Sequence, residues 1–273
     1  MSGILYIIGT PIGNMEDITL RQLRMLEEVD FICAEDTRVT LKLLNRYEIK
    51  NELVSFHEHS SRAEAQAIID RLLSGQNCGI VTDAGMPCIS DPGEVLVKLA
   101  YENNIDVKAV PSPTAVTTAA ALSGLHVKRF TFEGFLPVPK KERTERLELL
   151  RNETAVMIFY EAPHKLRNTL DDMADFFGRD RNISLCREIT KIHEETLRFT
   201  LGEAVEYYSV NEPRGEYVLV LEGKSAEAEE LTIEQALEQV KKLIDMGEKP
   251  TDACKAVAKE TGFKKSELYS ALQ

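Results

Sequence analysis

Two α/β domains, the first built on a parallel sheet and the second on a mixed one, followed by a small helical module, are what this sequence of 273 residues predicts. Three observations carry that prediction. Short apolar runs alternate with helical patterns through residues 1–123, the texture turns aromatic and less regular over residues 124–224, and residues 231–273 hold helical patterns only. The length agrees, since roughly 100 to 200 residues make one domain.

The first part repeats one unit. Ile4 to Ile8 is an apolar strand ending in the turn GTPIGN, after which Ile18, Leu20, Leu23 and Leu26 recur at helical spacing. Val29 to Ala34 predicts a second strand, ending in EDTR, with a helix around Val39 to Leu44. Leu53 to Phe56 and Cys78 to Val81 are further strands, separated by a helix over Arg62 to Leu73. The loop TDAGMPCISDPG, Thr82 to Gly93, leads into a helix from Glu94 to Glu102. Val107 to Val110 is the fifth strand, and PSPTA opens an Ala-rich helix. Such alternation means βαβ units and a mainly parallel sheet.

In the second part Phe130, Phe132 and Phe135 alternate as in a strand, and the stretch after FLPVP reads as a Pro- and Lys-rich loop. Ala155 to Phe159, Ile183 to Cys186 and Tyr217 to Leu221 predict strands, Glu195 to Leu201 an alternating one, and Lys165 to Phe177 a helix. KSAEAEE, after Gly223, reads as a linker. IEQALEQVKKLIDMG, TDACKAVAKETG and KKSELYSAL predict three short helices, with Thr251 and Asp252 at a start and Gly247 and Gly262 as stops. A helix-turn-helix type module and a bundle capping the second domain both fit that pattern.

Composition narrows the function. No apolar run approaches the ~18 to 20 residues of a membrane span. SGILYIIGT has neither a basic region before it nor a small-residue cleavage site after it, so it reads as a buried strand, and the cytoplasm is the expected address. Five cysteines (Cys33, Cys78, Cys88, Cys186 and Cys254) never form C-x-x-C, which argues against a disulfide framework and a zinc site. Cys33, Cys78 and Cys186 sit inside strand-like runs and read as core. A net charge of -12 speaks against tight binding of naked nucleic acid, which needs clustered Lys and Arg. Two local exceptions are Lys140, Lys141, Arg143 and Arg146 beside the aromatic Phe135, and Lys249, Lys255, Lys259, Lys264 and Lys265 in the tail. Basic residues with a nearby aromatic suit loop RNA, an ordinary solvated face being the alternative.

In an open parallel sheet, ligands bind beyond the carboxyl ends of the strands. Four polar stretches rich in Gly or Pro fall there: GTPIGN (Gly9 to Asn14), EDTR (Glu35 to Arg38), TDAGMPCISDPG and PSPTA (Pro111 to Ala115). All four therefore belong to one rim. GTPIGN is not G-x-G-x-x-G, and no G-x-x-x-x-G-K-[ST] occurs, so a P-loop is excluded. With little Lys on the rim, a zwitterionic or cationic adenosine-type cofactor suits it better than a polyphosphate. His57 and His59 form an H-x-H pair with no third ligand apparent, so no metal is expected.

GTPIGN, AEDTR, SFHEH, TDAGMPCISDPG, the PSPTA turn, FEGFLP, FYEAPHK, CREITKIHEE and RGEYVLVLEG occur in this order. Together they resemble the ribosomal small-subunit RNA 2'-O-ribose methyltransferase branch of the tetrapyrrole methylase superfamily. The resemblance runs from Gly3 to Gly223, and the C-terminal helices resemble the small terminal module of that branch. It implies a tetrapyrrole-methylase-like fold, usually a homodimer, holding S-adenosylmethionine in the cleft between domains. The implied cofactor contacts are Pro11, then Gly85, Met86, Pro87 and Ile89, then Thr114 and Ala115, Tyr160, and Gly215 with Glu188 nearby. Met86 stands where the branch usually has Thr, and Ser112 where it usually has Gly.

The implied reaction is methylation of a cytidine ribose in small-subunit ribosomal RNA, and the acidic balance makes the assembled small subunit the expected substrate. A ribose hydroxyl benefits from a general base. The charged candidates are Glu35, Asp36, Arg38, His57, Glu58, Glu161, Glu188 and Lys191, of which Asp36, Arg38, Glu188 and Lys191 are the expected catalytic set. The plainer readings are a helix N-cap with a surface ion pair for EDTR and a structural salt bridge for REITK. The competing functions are a small-molecule or tetrapyrrole methyltransferase and a noncatalytic RNA-binding factor.

Overall fold

A strand followed by a helix must return across its sheet to pair, so neighbours in space are distant in sequence. The computed structural model describes residues 2–57, 59–89, 93–225, 233–245, 249–261 and 263–272, the side chains of 235, 245 and 259–261 excepted. Strands β1 (Ile4–Ile8), β2 (Phe31–Ala34), β3 (Leu53–Ser55), β4 (Cys78–Val81) and β5 (Asp106–Val110) form an all-parallel sheet in the order β3-β2-β4-β1-β5. Leu5 of β1 pairs with both Cys78 and Val107.

The helices are α1 (Leu20–Glu28), α2 (Thr37–Arg46), α3 (Arg62–Leu73) and α4 (Glu94–Glu102). The first two crossovers travel one way along this order and the next two the other way. Right-handed connections then put α1 and α2 on one face and α3 and α4 on the opposite face. Packing follows: Leu26 and Leu44 bury against Ile8 and Ile32, whereas Ile69 and Leu96 bury against Leu5 and Cys33. Covered on both faces, β2 and β4 are buried at every residue. Thr19 and Ser61 begin α1 and α3 as capping boxes with Gln22 and Glu64. The Val29 N–H closes α1 on the Met25 carbonyl, so β2 begins at Phe31 rather than at Val29.

The second sheet holds β6 (Phe130–Phe135), β7 (Val156–Glu161), β8 (Asn182–Arg187), β9 (Glu195–Thr200) and β10 (Tyr217–Leu221), in the order β6-β7-β10-β8-β9. Only β6 and β7 run parallel, so this sheet is mixed. Helices α6 (Lys140–Leu150), α7 (Leu166–Phe177) and α8 (Leu201–Val210) cover one face through Leu147, Leu170 and Ala204. The other face is covered by α5 (Ala115–Leu122), whose Val116 and Ala119 pack on Ile158, Cys186 and Val218. The last helix of residues 1–123 thus lies on the second sheet.

Two expectations are corrected here. Lys140, Lys141, Arg143 and Arg146 stand on a helix, not a loop, because KKERTERLELL is made of strong helix formers and buries Leu147 and Leu150 three residues apart. The strand read as Glu195 to Leu201 stops at Thr200, whose hydroxyl caps α8 in a box with Glu203.

Residues 1–223 form one compact unit and 224–273 another. The second unit contains α9 (Ile233–Asp245), α10 (Pro250–Thr261) and α11 (Lys265–Ala271), gathered around Ala236, Val240, Cys254 and Leu268. Pro250 opens α10, where its missing N–H costs nothing, and Thr251 and Asp252 follow in the first turn. Gly247, Gly262 and most of the KSAEAEE linker lie outside the described residues. No described helix is long and apolar enough to cross a membrane.

Candidate active site

Because α1 leaves β1 toward one face and α4 leaves β4 toward the other, a crevice opens between the carboxyl ends of these two neighbours. The loops lining it are joined by backbone: Thr10 N–H donates to the Gly85 carbonyl at 2.9 Å, and Gly85 N–H to the Thr10 carbonyl at 3.1 Å. The Thr10 hydroxyl donates to the Thr82 carbonyl at 3.1 Å, and the Thr82 hydroxyl donates to Glu35 Oε2 at 2.9 Å. Asp36 N–H donates to Asp83 Oδ1 at 3.3 Å. A Cβ on Gly9 would stand 2.3 Å from Ser112 Oγ and 2.8 Å from Met86 Sδ. GTPIGN, EDTR, TDAGMPC and PSPTA therefore meet on one rim.

Most residues expected to face a cofactor gather along this crevice. Pro11 and Pro87 are buried in its walls. Gly85 is left-handed at φ 87, and a Cβ there would meet only Ile12 Cγ2, at 3.4 Å. Met86 turns its side chain toward Gly9 and the core beneath α3 and α4, while Ile89 is exposed. Thr114 caps α5 by accepting from Thr117 N–H, with Ala115 half-buried beside it. Tyr160, at the end of β7, stands edge-on to Phe132 and Phe135, with ring centroids 4.9 and 5.5 Å away. Burial raises its pKa, so the phenol keeps its proton.

The second sheet reaches the first loop through the turn after β8. A Cβ on Gly13 would fall 2.7 Å from Lys191 Cγ and 2.9 Å from Thr190 Oγ1. In that turn Glu188 and Thr190 are both left-handed, at φ 50 and 68, a costly conformation for residues with a Cβ. Glu188 Oε1 accepts from Lys191 Nζ at 2.9 Å and from Glu216 N–H at 3.0 Å, and Lys191 also reaches Glu216 Oε2 at 2.9 Å. Gly215 is left-handed at φ 76, and Glu188 lies on it: a Cβ would be 2.5 Å from Glu188 Cγ. Burial pushes the Glu188 carboxyl up, but Lys191 and the Glu216 N–H outweigh it and leave the pKa lowered. Burial pulls the Lys191 ammonium down, but Glu216 and Glu188 outweigh it and leave the pKa raised. Both groups stay charged.

The other charged candidates divide cleanly. Asp36 caps α2, accepting from Arg38 N–H at 2.8 Å, and also holds the Arg38 guanidinium through both carboxylate oxygens. Chiefly that side-chain bond lowers its pKa from 3.8 to about 2. Glu161 is buried, accepting from the Thr169 hydroxyl and Ala162 N–H. His57 and His59 face each other at 6.0 Å, and among the described residues no group of three or more His, Cys, Asp or Glu could hold a metal. Glu58 lies outside the described residues. Of the basic set on α6, Arg143 pairs with Asp172 and Arg146 with Glu133. In the tail, Lys249, Lys255, Lys264 and Lys265 are exposed, and the Lys259 side chain lies outside the described residues.

Sequence reasoning passed over Thr10, Thr82, Gly13 and Gln22. Gln22 is fully buried, donates to the Gly9 carbonyl and holds the loop from below. Its signal was present as the T-x-x-Q capping pattern of Thr19 to Gln22.

The rim fits a compact cation. Its four stretches contain one cationic residue, Arg38, bound to Asp36, while Glu35 and Asp83 are exposed carboxylates. Gly85 has room for a Cβ, with only Ile12 Cγ2 in ordinary contact at 3.4 Å, so a ligand could approach the backbone closely there. S-adenosylmethionine suits that donor set, and a polyphosphate does not.

Residues 4–205 match the family described as Tetrapyrrole (Corrin/Porphyrin) Methylases. A Halalkalibacterium halodurans protein named Ribosomal RNA small subunit methyltransferase I is 44% identical over 272 residues, covering 98% of this chain and 94% of its own. The protein of that name from Thermotoga maritima is 47% identical over 222 residues, covering 81% of this chain and 99% of its own. Among solved structures, uroporphyrin-III C-methyl transferase from Thermus thermophilus complexed with S-adenyl homocysteine shares the fold, with a TM-score of 0.57 and 15% identity over 81% of this chain and 98% of that one. The chain belongs to the tetrapyrrole methylase family and, within it, to the ribosomal RNA small subunit methyltransferase I group.

Proposed function

We propose that the protein transfers a methyl group from S-adenosylmethionine to the ribose 2'-hydroxyl of a cytidine in small-subunit ribosomal RNA, with the assembled small subunit as its substrate. The observation that carries this reading is the convergence of four strand-end stretches on one glycine-floored, carboxylate-flanked crevice, in a chain whose full-length relatives bear a ribosomal RNA methyltransferase name.

Pro11, Gly85, Met86, Pro87, Ile89, Thr114, Ala115, Tyr160 and Gly215 would hold the cofactor, which supplies an activated methyl group on a sulfonium. Methyl transfer is chiefly a matter of alignment, and the Thr10 to Gly85 bridge gives the crevice a fixed backbone for it. Met86 uses its side chain in packing, so its contact with the cofactor would be made through the backbone. Arg38, held by Asp36 and largely exposed, is placed to take an RNA phosphate. Lys191 remains protonated, so with Glu188 it positions ribose or phosphate by donating hydrogen bonds and does not act as a base. The net charge of -12 weakens binding to naked RNA and supports the assembled subunit as substrate. A cytoplasmic homodimer whose first domain ends near residue 123 completes the proposal.

Methyl transfer to deproteinised ribosomal RNA and to intact small subunits tests it. Faster transfer to intact subunits is expected; equal rates overturn the choice of substrate, and no transfer to either overturns the function. Mass spectrometry of ribosomal RNA from a strain lacking the protein should find one cytidine without its ribose methyl group.

A further inference from the structure

We propose that Glu35 is the general base that accepts the proton of the ribose hydroxyl; this rests on the reaction proposed above. Besides Glu195 and Glu216, which pair with Arg187 and Lys191, five carboxylates in the described structure stand at or beside strand ends around the crevice. Asp36 has both oxygens on Arg38 and caps a helix, and Asp83 accepts from the Asp36 N–H. Glu161 is buried with both oxygens engaged. Glu188 is committed to Lys191 and the Glu216 N–H.

Glu35 is exposed and its Oε2 accepts from the Thr82 hydroxyl at 2.9 Å. Among the described residues it is set apart from Asp36 and Glu188 by having no cation on it, from Glu161 by its exposure, and from Asp83 by this shorter bond, against 3.3 Å from the Asp36 N–H. The bond from Thr82 fixes the carboxylate without neutralising it. Position agrees with chemistry: Glu35 follows β2, the neighbour of β4, and the chain Glu35, Thr82, Thr10, Gly85 ties it to the crevice floor by hydrogen bonds at every link. The charged groups around it are Asp36 and Arg38 on its own loop and Asp83 on the loop after β4.

In atoms and electrons the step balances. The ribose oxygen forms its bond to the methyl carbon as the carbon–sulfur bond breaks, and that electron pair remains on sulfur and cancels the sulfonium charge. The hydroxyl proton passes to Glu35 Oε1 and is then lost to water.

Glu35→Gln tests the role in the full-length protein, because the amide oxygen can still accept from Thr82. Calorimetric affinity for S-adenosylmethionine, KM for the RNA substrate and melting temperature should match wild type, while kcat falls at least about 100-fold. The acidic limb of the wild-type pH–rate profile should vanish in this variant and persist, at lower rate, in Glu35→Asp. Independently of turnover, the carboxyl carbon-13 resonance that Glu35→Gln removes should shift when acceptor RNA is added. Wild-type turnover separates the two proposals: where it is present, a variant rate within about threefold of wild type overturns Glu35 and leaves the reaction standing. A resonance indifferent to RNA also overturns Glu35.

Discussion

Gly215 and Gly85 are both left-handed, yet they are glycine for different reasons. At Gly215 a Cβ would strike Glu188 Cγ at 2.5 Å and its Oε1 at 2.7 Å, so Gly215→Ala must displace the Glu188–Lys191 pair as well as strain the backbone. A stability loss on the order of 1–3 kcal/mol is expected, read by urea denaturation. At Gly85 a Cβ would meet only Ile12 Cγ2, in ordinary contact at 3.4 Å, so Gly85→Ala should cost only about 1 kcal/mol of backbone strain. Its larger effect should be weaker calorimetric binding of S-adenosylmethionine; unchanged binding would count against the crevice as the cofactor site. Asp36 makes a pH prediction. Its folded pKa of about 2 lies below the usual 3.8, so the stability it contributes is present above about pH 3.8 and is lost as pH falls toward 2. Asp36→Asn should therefore flatten the melting-temperature curve in that window and lower it modestly at every higher pH, neutrality included. Residue roles of this kind were half legible: Asp before a helix reads as a cap, but the crowding of Gly9 by Ser112 and Met86 exists only once three distant loops have met.

Elements were more legible than contacts. Strands and helices of the first part follow from apolar spacing, because each βαβ unit buries one stripe of helix on a strand pair. The helix α6 was hidden by its charges: a basic run reads as solvated loop until Leu147 and Leu150 are placed on one buried side. Its cations then separate by partner. Arg143 is bound to Asp172 and braces α6 on α7, whereas Lys140 and Lys141 are exposed, Lys141 lying 4.0 Å from Glu145, which is also exposed. Replacing both lysines by alanine should leave stability unchanged and make RNA affinity less sensitive to salt, the log–log slope falling by about one for each phosphate left unneutralised. Arg143→Ala should do the reverse, lowering stability and leaving the salt slope as it was. Arg198 of β9 fastens α5 to the second sheet, donating to the Ser123 carbonyl at 2.9 Å and the Leu122 carbonyl at 2.7 Å. Arg198→Met should cost on the order of 1 kcal/mol in denaturant unfolding, a modest figure because the side chain is exposed.

At the scale of the whole molecule, the rim was legible before the strand order was. All strands of a parallel sheet end on the same edge whatever their order, so the four loops could be grouped from alternation alone. The order β3-β2-β4-β1-β5 and the apposition of Gly13 to Lys191 are tertiary outcomes that spacing does not encode. The Thermotoga maritima relative is matched over 99% of its length by 222 residues, about the extent of the first unit. A chain ending at Gly223 is accordingly expected to unfold in one cooperative transition and to bind S-adenosylmethionine; a non-cooperative melt would contradict it. The strand order also sets a schedule for synthesis. β1 is made first, yet its partners are β4 and β5, reached only at Cys78 and Val107. With translation at roughly 5–20 residues per second, ILYII waits on the order of 5–20 s with both edges unpaired. The nascent chain thus carries an apolar, aggregation-prone strand in the open until about residue 110 has emerged, which makes its first eight residues the segment most in need of a chaperone.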